Sequence, residues 1–349
     1  MAKTIRCGVI GCGVIGPLHV ESLQRLEGVE VTWACDLVAD KARQVAAKYR
    51  VPQVTTDYRQ VLADPAVDCV HVCTDHASHA PISIAALAHG KHVICEKALT
   101  ANRGGLEAML AAHARRPEVV FCGVFQHRFD PVFRHVKQLV DDGRLGTILT
   151  AAAQVRCLRT AEYYRSGAWR GTWRDEGGGV LINQAIHYVD MLLWLMGGAT
   201  AVAGAFANLT HQGVIEVEDA VTASLRFRNG ALGTIEATAS SHLDWETNIA
   251  VHGTVGSVEV RNENPLKVVF QDKAVEARVV QELADCGKPP APEAGKLYYG
   301  PGHPSQIADF IEAVRTGRPP FVTAQAARHA VDVVLAVYES SRRGAWVIL

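Results

Sequence analysis

The sequence predicts an α/β chain in which a doubly wound parallel sheet precedes an α+β domain with a mostly antiparallel open sheet. Three observations carry that prediction. Short apolar runs alternate with helix-like segments over residues 5–125. A glycine cluster stands between the first strand and the first helix. Beyond residue 131, long strand-like runs follow one another with hairpin signals. At 349 residues the chain accommodates two domains of about 150 residues or more. The change of text sets them at 1–126 and 127–349, with the C-terminal helix able to pack back on the first.

Residues 5–10 read as the first strand, and a helix begins after Gly16 with Pro17 in its first turn, where a missing N–H costs no intrahelical bond. Strands follow over 29–36, 67–74, 92–96 and 119–125, with helices over 39–49, 79–89 and 106–115. Such continuously apolar strands suit a parallel sheet buried on both faces. A helix over 132–140 stops at Gly143. The second-domain strands are 148–157, 202–210, 221–228, 231–240, 249–251, 258–261 and 268–271. Asn229-Gly230 joins two of them as a tight hairpin, since both residues accept the positive φ such a turn needs. The Pro- and Gly-rich stretch 287–302 is a loop, and helices over 305–314 and 324–341 close the chain.

Lys and Arg number 35 against 36 Asp and Glu, a net charge of −1, which supplies no global field for nucleic acid or anionic lipid. A small, locally recognised ligand fits better. The run 7–18 after Lys3 and Arg6 imitates a signal peptide, but Gly8, Gly11, Gly13 and Gly16 weaken a helical reading. No apolar stretch reaches the ~18 residues of a membrane span. The nine cysteines are odd in number and form no CxxC pair, so they read as buried reduced thiols of a cytoplasmic protein.

Gly11, Cys12, Gly13, Val14, Ile15 and Gly16 form a G-x-G-x-x-G loop between strand and helix. The first glycine permits the tight turn, the second lets backbone approach a pyrophosphate, and the third lets helix and strand pack closely. The helix N-terminus adds N–H donors and partial positive charge. Asp36, twenty residues past Gly16, is placed to accept from the adenosine ribose hydroxyls. It repels a 2′-phosphate, and Leu37 and Val38 offer no guanidinium, so NAD is favoured over NADP. Glu96-Lys97 ends the 92–96 strand at the sheet edge where ligands bind; by position alone Lys97 reads equally as a solvated lysine. Thr74, Asp75, His76 and His79 end the preceding strand toward the same crevice, with Asp75 equally an N-cap. Gln126, after the last strand of the domain, is a further cofactor-binding candidate.

In the second domain, GGGVLINQAIHYVD spans residues 177–190. On one helix Asn183, His187 and Asp190 share a face that looks outward, opposite a buried stripe of Ile186, Val189, Leu193 and Met196. One His, one Asp and one amide make a poor metal set, and no metal is expected. The ordinary imidazole pKa of ~6.5 suits His187 to exchange a proton with a hydroxyl; a locally bridging helix histidine is the plainer alternative.

The glycine loop, Asp36, AHGKHVICEK over 88–97, Arg128-Phe129 and GGGVLINQAIHYVD together resemble the Gfo/Idh/MocA family of sugar and cyclitol oxidoreductases over residues 3 to about 340. The resemblance implies an N-terminal Rossmann domain and a homodimer or homotetramer built on the second-domain sheet. It also maps the family's E-K-P lysine and second-domain histidine onto Lys97 and His187, at the substrate carbon facing nicotinamide. Asn183 falls where the family often has Asp, Arg128 begins the second domain as a substrate contact, and Tyr163, Trp169, Arg170 and Trp173 lie on the segment that approaches cofactor and substrate. Ala98 stands in place of the family's Pro, which removes a constraint on the backbone aiming Lys97. Asn183 in place of Asp provides no carboxylate to stabilise an imidazolium on His187.

The expected activity is a reversible hydroxyl–ketone hydride transfer on a ring carbon of a sugar, amino sugar or cyclitol. A nucleotide-sugar dehydrogenase or ketoreductase, a sugar-responsive NAD-binding regulator without turnover, and NAD-dependent glycoside cleavage through a transient ketone are the alternatives. Retention of Lys97 and His187 favours an enzyme.

Overall fold

The computed structural model describes residues 4–287 and 302–349, which fall into two compact units, 4–126 with 302–328 and 127–287 with 329–349. The chain begins with β1 (Ile5–Ile10), α1 (Gly16–Gln24), β2 (Val29–Cys35), α2 (Ala39–Tyr49), β3 (Gln53–Thr55), α3 (Tyr58–Ala63), β4 (Cys69–Val72), α4 (His76–Ala88), β5 (His92–Cys95), α5 (Arg103–Ala114) and β6 (Phe121–Gly123). These six strands pair in parallel in the order β3-β2-β1-β4-β5-β6. The order reverses between β1 and β4, the switch point beyond whose strand ends open α/β sheets bind ligands. Every residue of β4 is buried, as its unbroken run of short apolar and His side chains requires.

A 3-10 turn over Gln126–Phe129 leads to α6 (Pro131–Asp141), β7 (Ile148–Leu158), α7 (Ala161–Arg165), α8 (Val180–Asn183), α9 (Ile186–Met196), β8 (Ala199–Ala207), β9 (Ala220–Phe227), β10 (Leu232–Thr238), β11 (Ser240–Gly253), β12 (Gly256–Arg261), β13 (Asn264–Phe270), α10 (Lys273–Asp285), α11 (Gly302–Thr316), α12 (Ala324–Arg343) and β14 (Val347–Ile348). The second sheet runs β13-β12-β11-β7-β10-β9-β8-β14 and is antiparallel except where β10 meets β7. Gly230, at φ 88°, closes the β9–β10 hairpin. Val221, Ala223, Leu225 and Phe227 alternate with exposed neighbours, so one face of this sheet is covered and the other is wet. The loop expected over 287–302 lies, apart from its two ends, outside the described residues.

Two differences from the sequence reading bear on function. Residues 302–328, read as part of the second domain, count with the first unit. There Ile307, Phe310 and Ile311 of α11 join Leu18 and Leu23 of α1 and Cys7 and Val9 of β1 in one core, and burial of three such side chains contributes several kcal/mol. Gln306 ties the helix to the end of β6, donating from Nε2 to the Gly123 carbonyl (2.8 Å) and accepting from the Phe125 N–H (3.0 Å). The second difference is that Asn183 and His187 do not share one helix, because α8 ends at Asn183 and α9 starts at Ile186. Strand β3 and helices α3, α7 and α10 were not expected. Helix α10 buries only Val279 and Leu283, too thin a stripe to read in sequence.

Candidate active site

Each glycine of the first loop has its own steric reason. Gly11 sits at φ +101°, and a Cβ there would lie 2.4 Å from the Cys73 carbonyl. At Gly16 a Cβ would strike the Gly11 carbonyl at 2.1 Å. Gly13 faces open space, with nothing within 4 Å of where its Cβ would be. The turn and the helix packing therefore use the outer glycines, and the middle one leaves bare backbone for a phosphate to approach, which fits a dinucleotide. Asp36 holds the loop: its carboxylate accepts from the N–H of Cys12 (2.8 Å) and of Val38 (2.8 Å). Val14 is exposed and Ile15 half-buried beside it. Burial, with Asp36 and Cys35 adding to it, pushes the Cys12 thiol up to about 12, so it remains protonated and inert.

Asp75 is the N-cap of α4, accepting from the Ser78 N–H (3.0 Å) and hydroxyl (2.8 Å), a cap worth about 1 kcal/mol. His76 and His79 are buried, and Thr74 is half-buried. The His79 ring nitrogens lie 2.7 Å from the Ala98 carbonyl and 3.1 Å from that of Thr74, so this side chain braces two strand ends and presents no edge for a ligand. Gln126 is buried too. The Lys97–Ala98 peptide bond is cis.

Glu96 anchors the lysine segment. Its buried carboxylate meets His19 Nε2 at 3.0 Å and His303 Nε2 at 3.5 Å and accepts from the Lys97 N–H at 3.1 Å. Burial alone raises this carboxyl, but the two histidines outweigh it and hold Glu96 well below the usual carboxylate range. His19 Nδ1 in turn sits 2.9 Å from His71 Nδ1, and burial drives His71 well below the ordinary imidazole value, so His71 is neutral. Nothing in the sequence pattern singled out His19, His71 or His303; His19 and His303 meet the Glu96 carboxylate, and His71 meets His19, only through the sheet and α11. From Val93 to Ala101 every residue is buried except Lys97.

The second unit repeats that pattern. From Glu176 to Leu193 the only residue not buried is His187. Asp190, expected on an outward polar face, is 1% exposed and accepts a two-point hydrogen bond from Arg128. Arg128, expected at the substrate, is committed to that pair. Asn183 donates from Nδ2 to the buried carboxylate of Glu176, which also accepts from the Gly171 N–H. The three glycines ahead of α8 permit close approach. A Cβ on Gly178 would strike the Tyr338 hydroxyl at 2.1 Å, and one on Gly179 the Glu218 carbonyl at 1.9 Å. Glu218 accepts from the N–H groups of Gly179 (2.8 Å) and Leu181 (3.0 Å) and from the Tyr338 hydroxyl (2.9 Å), capping the short helix from outside. The ring of His127 stands edge to face on His187, centroids 5.4 Å apart.

Tyr163, Trp169 and Arg170 form one cluster. Arg170 lies 4.4 Å over the Tyr163 ring and 4.5 Å over that of Trp169, and its Nη1 donates to the Tyr163 hydroxyl at 2.6 Å. Gln184 Nε2 donates to the same hydroxyl at 3.0 Å, linking the cluster to the turn that carries His187. Trp173 goes elsewhere. It donates from Nε1 to the Glu216 carbonyl (3.0 Å) and, half-buried, packs on Tyr338 of α12 and Phe206 of β8.

All nine cysteines are thiols, and burial raises most of them. Eight of the nine are buried, as expected of reduced core thiols, and two of these converge: Cys69 donates to Cys7 (3.2 Å), with a His71 ring nitrogen within 4.8 Å of both sulfurs, all three fully buried. Among the described residues no helix is long and apolar enough to cross a membrane.

Comparison with known proteins bears on both units. Residues 5–124 match the family model described as an oxidoreductase-family NAD-binding Rossmann fold, and residues 137–349 match the oxidoreductase-family C-terminal α/β domain. The chain is 28% identical to a myo-inositol 2-dehydrogenase of Thermotoga maritima over 339 residues, 94% of this chain and 93% of that one. It is 26% identical to a levoglucosan dehydrogenase of Pseudarthrobacter phenanthrenivorans, covering 99% and 98% of the two chains. Among solved structures, the WlbA dehydrogenase of Bordetella pertussis, in complex with NADH and UDP-GlcNAcA, superposes with a TM-score of 0.90 at 27% identity over 99% of this chain and 98% of that one. With both domains matched in order, and with a glycine loop sterically fitted to a dinucleotide, the chain belongs to the Gfo/Idh/MocA family and is an NAD-dependent oxidoreductase.

Proposed function

We propose that this enzyme interconverts a ring hydroxyl and a ketone of a sugar, amino sugar or cyclitol, with Lys97 and His187 acting at the reacting carbon. The supporting observation is the paired exception to burial: each unit surrounds one reactive side chain with buried residues and leaves that side chain partly exposed. Bound NAD supplies the hydride acceptor. In the oxidative direction His187 takes the hydroxyl proton as general base, and Lys97 hydrogen-bonds the developing alkoxide. Asn183, held by Glu176, fixes the turn from which α9 projects His187. Thr74 and the cluster of Trp169 and Arg170 contribute to the cofactor side and Tyr163 to the substrate side. Assembly as a homodimer or homotetramer belongs to the same proposal, supported by exposed Leu232 and Leu243 on the second sheet. A cytoplasmic location fits nine thiols.

A second reading, a nucleotide-sugar dehydrogenase or ketoreductase, draws on the whole-chain likeness to the WlbA dehydrogenase complex. One panel tests both: NADH formation on free sugars, inositols and uridine-diphosphate sugars, with Lys97→Ala and His187→Ala in parallel. Each substitution is expected to lower kcat by about 10²- to 10⁴-fold with NADH binding retained. Turnover near wild type in either variant overturns the assignment of that residue. Sugar-dependent changes in NADH affinity without turnover on any substrate overturn the enzymatic reading in favour of a regulator.

A further inference from the structure

We propose that His127 is a positioning residue for the reaction, its imidazolium held by Asp130 and keeping the adjoining His187 in the neutral, proton-accepting form. The proposal rests on the reading of His187 as general base. Its geometry lies wholly within the second unit. His127 Nδ1 donates to Asp130 Oδ2 at 2.7 Å, and both residues are at most 3% exposed. The other oxygen of Asp130, Oδ1, is buried without a hydrogen-bond partner among the described residues, so the His127 ring is the group that compensates this carboxylate. A neutral His127 would leave a buried charge with little to balance it.

The groups facing His127 come from several elements. Asp130 precedes α6, Phe133 lies on α6, Glu263 lies in the turn before β13 with Oε1 4.0 Å from Nδ1, and His187, Tyr188 and Asp190 come from α9. Burial opposes protonation, but Asp130, then Glu263 and Asp190, outweigh it and hold the His127 pKa above the ordinary imidazole value. A positive charge on this ring, 5.4 Å from the centre of His187, opposes a second positive charge there. The edge-to-face contact also fixes the plane of the His187 ring.

Titration of the folded, full-length protein by histidine-selective ¹³C NMR reads this without any substrate, with His187 assigned by the signal lost in His187→Ala. In His127→Asn the His187 midpoint is expected to rise by about one to two pH units, the scale of one unit charge at this separation. Asp130→Asn, which releases the His127 proton, is expected to shift it the same way. His127→Lys, which retains a cation, is expected to leave the midpoint within about 0.3 unit of wild type. Should His127→Asn fail to fold, Asp130→Asn and His127→Lys decide the question. A midpoint that stays put or falls in the charge-removing variants overturns the proposal. Failure of the general-base reading shows separately, as undiminished turnover in His187→Ala.

Discussion

Arg128 and Asp190 form a buried fork: Nε donates to Oδ2 at 2.7 Å and Nη2 to Oδ1 at 2.6 Å, with Asp190 1% and Arg128 7% exposed. A bidentate pair of this kind locks the 3-10 turn to α9, the helix that carries His187. Removing one partner strands a charge. Asp190→Ala is therefore expected to cost about 3–5 kcal/mol in urea unfolding, whereas Arg128→Met with Asp190→Leu is expected to recover most of it. Equal losses in the single and double variants would contradict the stranded-charge explanation.

Asn183→Asp brings a second carboxylate against buried Glu176. Sequence alone suggested that an acid here would stabilise an imidazolium on His187, but the side chain it would meet first is a carboxylate. Two like charges in hydrogen-bonding contact must share a proton. The variant is expected to be less stable than wild type by about 2–4 kcal/mol at pH 8 and to recover toward pH 5. Stability independent of pH relative to wild type would count against it.

Glu218 gives the fold a pH dependence of defined sign. Burial pushes its carboxyl up from 4.5 to about 7, against the lowering effect of the Leu181 and Gly179 N–H groups and the Tyr338 hydroxyl. The folded state thus holds this proton more tightly than the unfolded chain. The stability contribution is complete below pH 4.5 and is lost as pH rises through about 7, a span of roughly 3 kcal/mol. Glu218→Gln should flatten that part of the stability–pH curve measured by denaturant unfolding; an unchanged slope between pH 4.5 and 7 would mean another group carries it.

Asp36→Ala is expected to weaken NAD binding by about tenfold to a hundredfold, the worth of hydrogen bonds to a charged acceptor. Two sources are expected to contribute, the hydrogen bonds to ribose expected of Asp36 and its tether to Cys12 and Val38. Adding Leu37→Arg, at a side chain 87% exposed beside the loop, is expected to shift preference toward NADP. Fluorescence titration with NADH and NADPH measures both, and an NADH affinity within twofold of wild type in Asp36→Ala would remove Asp36 from the cofactor site.

The local text of this chain was sufficient for five of the six strands of the first sheet, the glycine loop and the Asn229-Gly230 hairpin, because each depends on short-range periodicity or turn chemistry. Partners distant in sequence were decided only by tertiary structure. Glu96 meets His19 and His303, Asp190 pairs with Arg128, Asn183 turns to Glu176, and α11 joins the first unit's core instead of the second. Spacing along a helix states which residues can share a face, but here the helix is interrupted at Gln184-Ala185, and a buried charge takes whichever opposite charge the packing delivers to it.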